Sequence, residues 1–158
     1  MGTTGKGELI TPGEGKTFPV GDSRITIKIR SADTGEKYEI IESTLPPGFD
    51  SPPHVHERME QVFYVLEREV EFKLDEQTVR APAGALVRVP TGVAHAFSNP
   101  TKVWGKVLQV HTSGALEKMF EELAQAFPPG TPIDRDRMGT IMHRYDQSPA
   151  AAHVPPTG

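Results

Sequence analysis

Between Arg24 and Arg30 the chain alternates without a break, with Ile25, Ile27 and Ile29 on one face and polar residues on the other. Period two is the signature of a half-buried β-strand. Tyr38 to Leu45 reads as a second strand, entered through the Asp33-Thr34-Gly35 turn and stopped by Pro46-Pro47-Gly48. Glu69 to Leu74 alternates again. Thr78 to Arg80, Ala85 to Val89, Val93 to Ser98 and Val103 to His111 complete a run of short segments broken by Gly, Pro and Asn. Gln61 to Leu66 is apolar on both faces, which predicts a strand covered on both sides. Many short strands without intervening helices predict an all-β barrel or sandwich.

The period changes after residue 112. Leu116, Met119, Phe120 and Leu123 recur at the i, i+3, i+4, i+7 spacing of an amphipathic helix over Ala115 to Phe127. Ser113 is its candidate N-cap and Pro128-Pro129-Gly130 its stop. Asp134 to Tyr145 is a second candidate helix, with Asp134 and Asp136 suited to the first turn. Glu117-Lys118 and Glu121-Glu122 read as a solvated helix face. The expected organisation is therefore a β-barrel over 1–112, helices packing on it over 113–146, and a loose tail over 147–158 that is poor in apolar bulk.

Composition narrows the chemistry. At 158 residues the chain has the length of one domain with a sizeable core. It has no cysteine, which removes disulfides, Cys-ligated metal sites and thiol nucleophiles together. A net charge of −4 offers no basic surface for nucleic acid or an anionic membrane. No apolar run has the length of a bilayer span or of a signal peptide, so a cytoplasmic location is expected. Fifteen Gly and fifteen Pro exceed ordinary usage and suit tight turns.

Three of the six histidines carry the candidate chemistry. In Pro52-Pro53-His54-Val55-His56 an extended backbone would turn both imidazoles to the same side, where they could share one metal ion. Pro90-Thr91-Gly92-Val93-Ala94-His95 would deliver a third imidazole from a separate strand. His111 ends the last strand and reads as structural, while His143 and His153 lie in the helix and the tail, away from this group.

These stretches resemble the two sequence motifs of the cupin superfamily. Gly84-x5-Pro90-x-Gly92-x2-His95-x3-Asn99 agrees with the second motif at every position, and Gly48, His54 and His56 meet the first. The resemblance covers about residues 38–99. Glu42-x2-Leu45-Pro46-Pro47-Gly48 and Phe63-Tyr64-Val65-Leu66-Glu67 are similar to the small quercetin-dioxygenase-like members, which also carry a C-terminal helix. The implied fold is a double-stranded β-helix barrel (jelly roll) with a short C-terminal helical segment. Arg68 stands where the family has a turn glycine, which predicts a residue held at positive φ.

The resemblance also implies a metal site with one departure. Aligned on the following strand, the family's glutamate ligand falls on Gln61; aligned on the spacing from His56, it falls on Glu60. The strand register favours Gln61, because a slip of one residue would turn every side chain over. Cupins that open unsaturated uronate rings carry the same His-x-His-x4-Gln pattern. The implied ligands are His54, His56, Gln61 and His95, with Glu60 as alternative ligand or outer support. The ion would be one divalent transition metal from among Fe, Mn, Ni, Co, Cu and Zn.

Glu42 is a candidate acid or base facing the pocket, and Phe63 and Phe97 are candidate pocket lining. The expected function is metal-dependent chemistry on a small organic molecule, led by an O₂-using dioxygenase. A non-redox lyase, isomerase or cyclase and a binding module without turnover are the alternatives. The two apolar faces of the 61–66 strand predict a homodimer.

Overall fold

The computed structural model describes residues 6–112 and 114–150. Eleven strands run in chain order: β1 (Lys16–Val20), β2 (Ser23–Ile29), β3 (Tyr38–Leu45), β4 (His54–Val55), β5 (Gln61–Glu67), β6 (Glu69–Leu74), β7 (Gln77–Pro82), β8 (Leu86–Val89), β9 (His95–Ser98), β10 (Gly105–Thr112) and, after two helices, β11 (Ser148–Pro149). The helices are α1 (Glu117–Ala126) and α2 (Arg135–His143). One sheet has the order β1-β2-β3-β10-β5-β8 and the other β11-β4-β9-β6-β7, and every pairing is antiparallel. This is the all-β jelly roll with C-terminal helices that the sequence led us to expect.

Each strand read from alternation is present, with ends shifted by two residues or fewer. Three were not foreseen. β1 carries Pro19, which would break a central strand, but β1 lies at the sheet edge where a missing N–H costs little. β4 and β11 have two residues each, too few to show a period. Arg68 sits at φ 68° in the β5–β6 turn, as its glycine-like position required.

Two cores divide the interior. Phe63, Val65, Phe72, Val87 and Val107 fill one within the barrel. Ile25, Ile27 and Ile41 form the other with Met119, Leu123 and Met142 from the helices. Ser113 lies outside the described residues, and Leu116 occupies the N-cap position of α1 without a side-chain cap of its own. The missing partner comes from the barrel: the buried Glu39 carboxylate on β3 accepts from Leu116 N–H at 3.2 and 3.3 Å. Asp134 caps α2 by accepting from Arg137 N–H.

Two expectations need correction. The 61–67 strand is not covered on both faces by the described residues: Phe63 and Val65 are buried, but Tyr64 on the opposite face is 39% exposed. Of the segment expected to be loose over 147–158, Gln147 is buried and Ser148–Pro149 pairs as β11 with β4, while 151–158 lie outside the described residues. Among the described residues no helix is long and apolar enough to cross a membrane.

Candidate metal centre

His54 and His95 are direct neighbours on β4 and β9, and His56 follows two residues after His54 on the same side. One ring nitrogen from each of the three lies within 4.8 Å of the others, and all three side chains are buried. The remaining ring nitrogens are fixed by main chain. Nδ1 of His54 stands 2.8 Å from the Pro52 carbonyl, that of His56 2.8 Å from Asp146 O, and that of His95 3.0 Å from Val93 O. A carbonyl only accepts, so each Nδ1 carries the proton and donates it. Each Nε2 is then a lone pair, oriented in the way that metal-binding imidazoles are oriented by an outer partner.

Burial keeps these rings neutral. It lowers His54 well below the ordinary histidine range, lowers His56, and brings His95 down to about 4.

Gln61 completes the group. Its side-chain oxygen lies 3.1 Å from Nε2 of His56 and 3.0 Å from Nε2 of His95. The amide is turned this way by a buried chain in which Gln61 Nε2 donates to Gln109 Oε1 at 2.8 Å and Gln109 Nε2 donates to Ser43 Oγ at 2.7 Å. An amide oxygen and imidazole lone pairs converge with no proton to share between them. A cation at that point would resolve the repulsion, and neutral N and O donors are of the kind that a divalent transition metal accepts. Glu60, the alternative from the sequence, points to the other face and forms a two-pronged pair with Arg88 at 2.7 and 3.0 Å.

His54, His56 and Gln61 open onto a cavity of about 390 Å³ between the barrel and the helices. Its walls are chiefly aliphatic, aromatic and thioether side chains, among them Leu45, Phe97, Leu116, Met119, Leu123 and Met142. The charged wall residues Asp22, Asp50 and Arg135 are exposed, and Arg135 is paired with Asp50 at 2.9 Å.

Phe97 lines this space, but Phe63 does not. Phe63 is wholly buried against Phe72 and Phe97, one layer deeper in the barrel. Glu42 is also corrected. It shares a face with Tyr38 and Ile40 on the outside of β3 and lies 3.7 Å from Lys106. The inward face of that strand carries Glu39, Ile41, Ser43 and Leu45.

Alternation therefore located the right strand and picked the wrong carboxylate. Glu39 faces inward, opposite His111 on β10, where burial pushes its carboxyl up to about 7 and brings His111 down to about 3. His111 lines the cavity, with its ring centroid 6.4 Å from that of His56. Neither was singled out for the site from the sequence, although the i, i+2 phase with Ser43 and Gln109 was available as a signal. His143 is exposed on α2, and His153 lies outside the described residues.

Residues 41–111 match the family model of the cupin domain. Over 119 residues the chain is 24% identical to quercetin 2,3-dioxygenase of Bacillus subtilis (strain 168), a match covering 75% of this chain and 35% of that protein. The chain thus spans about a third of the length of the curated relative it matches. Among solved structures it is similar to a predicted oxalate decarboxylase from Thermotoga maritima, at TM-score 0.63 and 18% identity over 66% of this chain and 98% of that one. KdgF from Halomonas sp. follows at 0.61 and 18%, covering 68% and 94%. The polyketide cyclase RemF from Streptomyces resistomycificus gives 0.59 and 22%, covering 68% and 80%. At these identities the likeness is one of fold.

Proposed function

The chain belongs to the cupin superfamily, and from that premise we propose a metal-dependent oxidoreductase of dioxygenase type, acting on a small and largely apolar organic molecule. The observation that carries the reading is a cluster of three neutral imidazoles, of which His54 and His56 line an apolar cavity whose charged residues stay at its exposed rim. His54, His56, His95 and Gln61 would hold the ion. When bound, the ion would supply an electrophilic, redox-capable centre facing the cavity.

The chain's own residues do the rest. Gln61 contributes no charge where a glutamate would, so the site keeps the ion's full attraction for an enolate or carboxylate oxygen. Gln109 and Ser43 hold that amide in place. Leu45, Phe97, Met119 and Leu123 desolvate the body of the substrate and exclude bulk water.

A second reading, a non-redox lyase, isomerase or cyclase, is favoured by Glu39 and His111. They place a carboxyl and an imidazole together in the buried layer beside the three histidines, where they could relay a proton. Elemental analysis of protein purified without chelator or affinity metal, followed by oxygen uptake on the same sample with quercetin as first probe, separates the readings. The dioxygenase reading expects bound transition metal and stoichiometric oxygen consumption. Turnover without oxygen uptake supports the second reading, and a ligand-induced thermal shift without turnover supports a binding module.

A further inference from the structure

We propose that Asp146, which follows α2, is a positioning residue for the metal site, and that metal binding and docking of the C-terminal segment are mutually coupled through it. The inference rests on the metal-site reading above. Four hydrogen bonds converge on this residue. Its main-chain carbonyl accepts from Nδ1 of His56 at 2.8 Å and so selects the tautomer that leaves Nε2 bare. One carboxylate oxygen accepts from Glu57 N–H at 3.0 Å, and the other accepts from Arg58 and Met59 N–H at 3.1 and 3.0 Å. The carboxylate is therefore seated on the loop that joins His56 to Gln61. Its side chain is only 8% exposed.

The residues that follow continue the clasp. Ser148 and Pro149 pair with Val55 and His54, and Ala150 N–H donates to the Pro53 carbonyl at 3.2 Å. Gln147, between them, lines the cavity and donates to Met119 Sδ on α1 at 3.1 Å. Residues 146–150 thus hold the 53–59 stretch, which carries two of the three imidazoles, from about ninety positions away in the chain. Met138 and Met142 of α2, whose C-terminal end leads into this clasp, form part of the cavity wall.

An element that orients a ligand in the folded state must itself be held more firmly when the ligand is loaded, since coupling between two sites is reciprocal. Outer partners of metal-bound histidines commonly change affinity by about 10- to 100-fold when removed. Asp146 sits at φ 60°, a backbone state that Asp and Asn adopt far more readily than Ala. Ala at this position loses the three loop contacts and destabilises the geometry that aims the carbonyl. Asn retains the backbone preference and a single acceptor oxygen.

The test measures zinc affinity by chelator competition in wild type, D146A, D146N and D134A. The last weakens α2 at its N-cap without touching the histidine loop. The coupling expects dissociation constants raised about 10- to 100-fold in D146A, less in D146N, and within about 3-fold of wild type in D134A. Amide hydrogen exchange on the wild-type chain is the second measurement, needed if D146A does not fold. Zinc should slow exchange at residues 57–59 and at 147, 148 and 150 together. Unchanged affinity in folded D146A, an equal loss in D134A, or exchange at 147–150 indifferent to zinc overturns the inference while leaving the metal site standing. A wild-type chain that retains no zinc or other transition metal overturns both.

Discussion

Glu39 on β3 and His111 on β10 face each other across the sheet, a carboxylate oxygen 3.7 Å from Nδ1, and each residue is 1% exposed. The carboxylate also receives Leu116 N–H, so one buried acid joins the floor of the site to the start of α1. Gly114 permits this approach, since a Cβ there would stand 2.8 Å from the same carboxylate oxygen. Burial drives both groups toward their neutral forms, which gives the metal-free protein a defined pH response.

His95, at about 4, and His111, at about 3, lie below the ordinary 6.5. Their stabilisation is complete above pH 6.5 and is lost as pH falls through those folded values. Glu39, raised from 4.5 to about 7, has the opposite sign: its contribution is complete below pH 4.5 and lost as pH rises through 7. The histidines outnumber it, so urea unfolding of metal-free protein should show stability increasing from about pH 4.5 to 6.5. Glu39→Gln removes the opposing contribution and steepens that rise by about one proton, roughly 1.4 kcal/mol per pH unit. An unchanged slope would mean that Glu39 is ionised throughout the range.

His95→Ala should lose most of its bound metal. Two imidazoles and an amide are too few strong donors to retain a divalent ion through purification. Full occupancy by elemental analysis in the folded variant would dismiss the site.

Gln61→Glu should retain metal more tightly against a chelator, because an anionic donor replaces a neutral one, and its reaction rate should change as the net charge of the centre falls. Glu60→Gln should leave retention nearly unchanged. Its partner Arg88 is on the outer face, and a solvent-screened pair of this kind adds little to stability. Metal loss in Glu60→Gln alone would reverse the assignment.

The outer face of β5 offers Tyr64, which stands opposite Leu86 on β8, the latter 67% exposed, and Leu108 on β10. We expect this face to meet a second copy in a two-fold pair, where each patch covers its mate. Light scattering at micromolar concentration should report a dimer in wild type and a monomer in the double variant Y64K/L86E. A monomeric wild type counts against the pairing.

The sequence by itself determined the architecture and put forward the three imidazoles that the fold brings together. Period-two alternation survives in any half-buried strand, so eight of the strands were legible, and two motifs with fixed spacing put His54, His56 and His95 forward as one group. Strand register also separated Gln61 from Glu60, because adjacent residues on a strand face opposite ways. Tertiary structure alone decided which face is inside. Tyr38, Ile40 and Glu42 alternate as cleanly as Glu39, Ile41 and Ser43, and only the docking of α1 and α2 over the second set made Glu39 the buried carboxylate and left Glu42 outside. Asp146 could not be read from the chain at all. Its role depends on a carbonyl and a carboxylate reaching a loop about ninety residues away, and contacts made through main-chain atoms at such separation leave no local pattern of side chains.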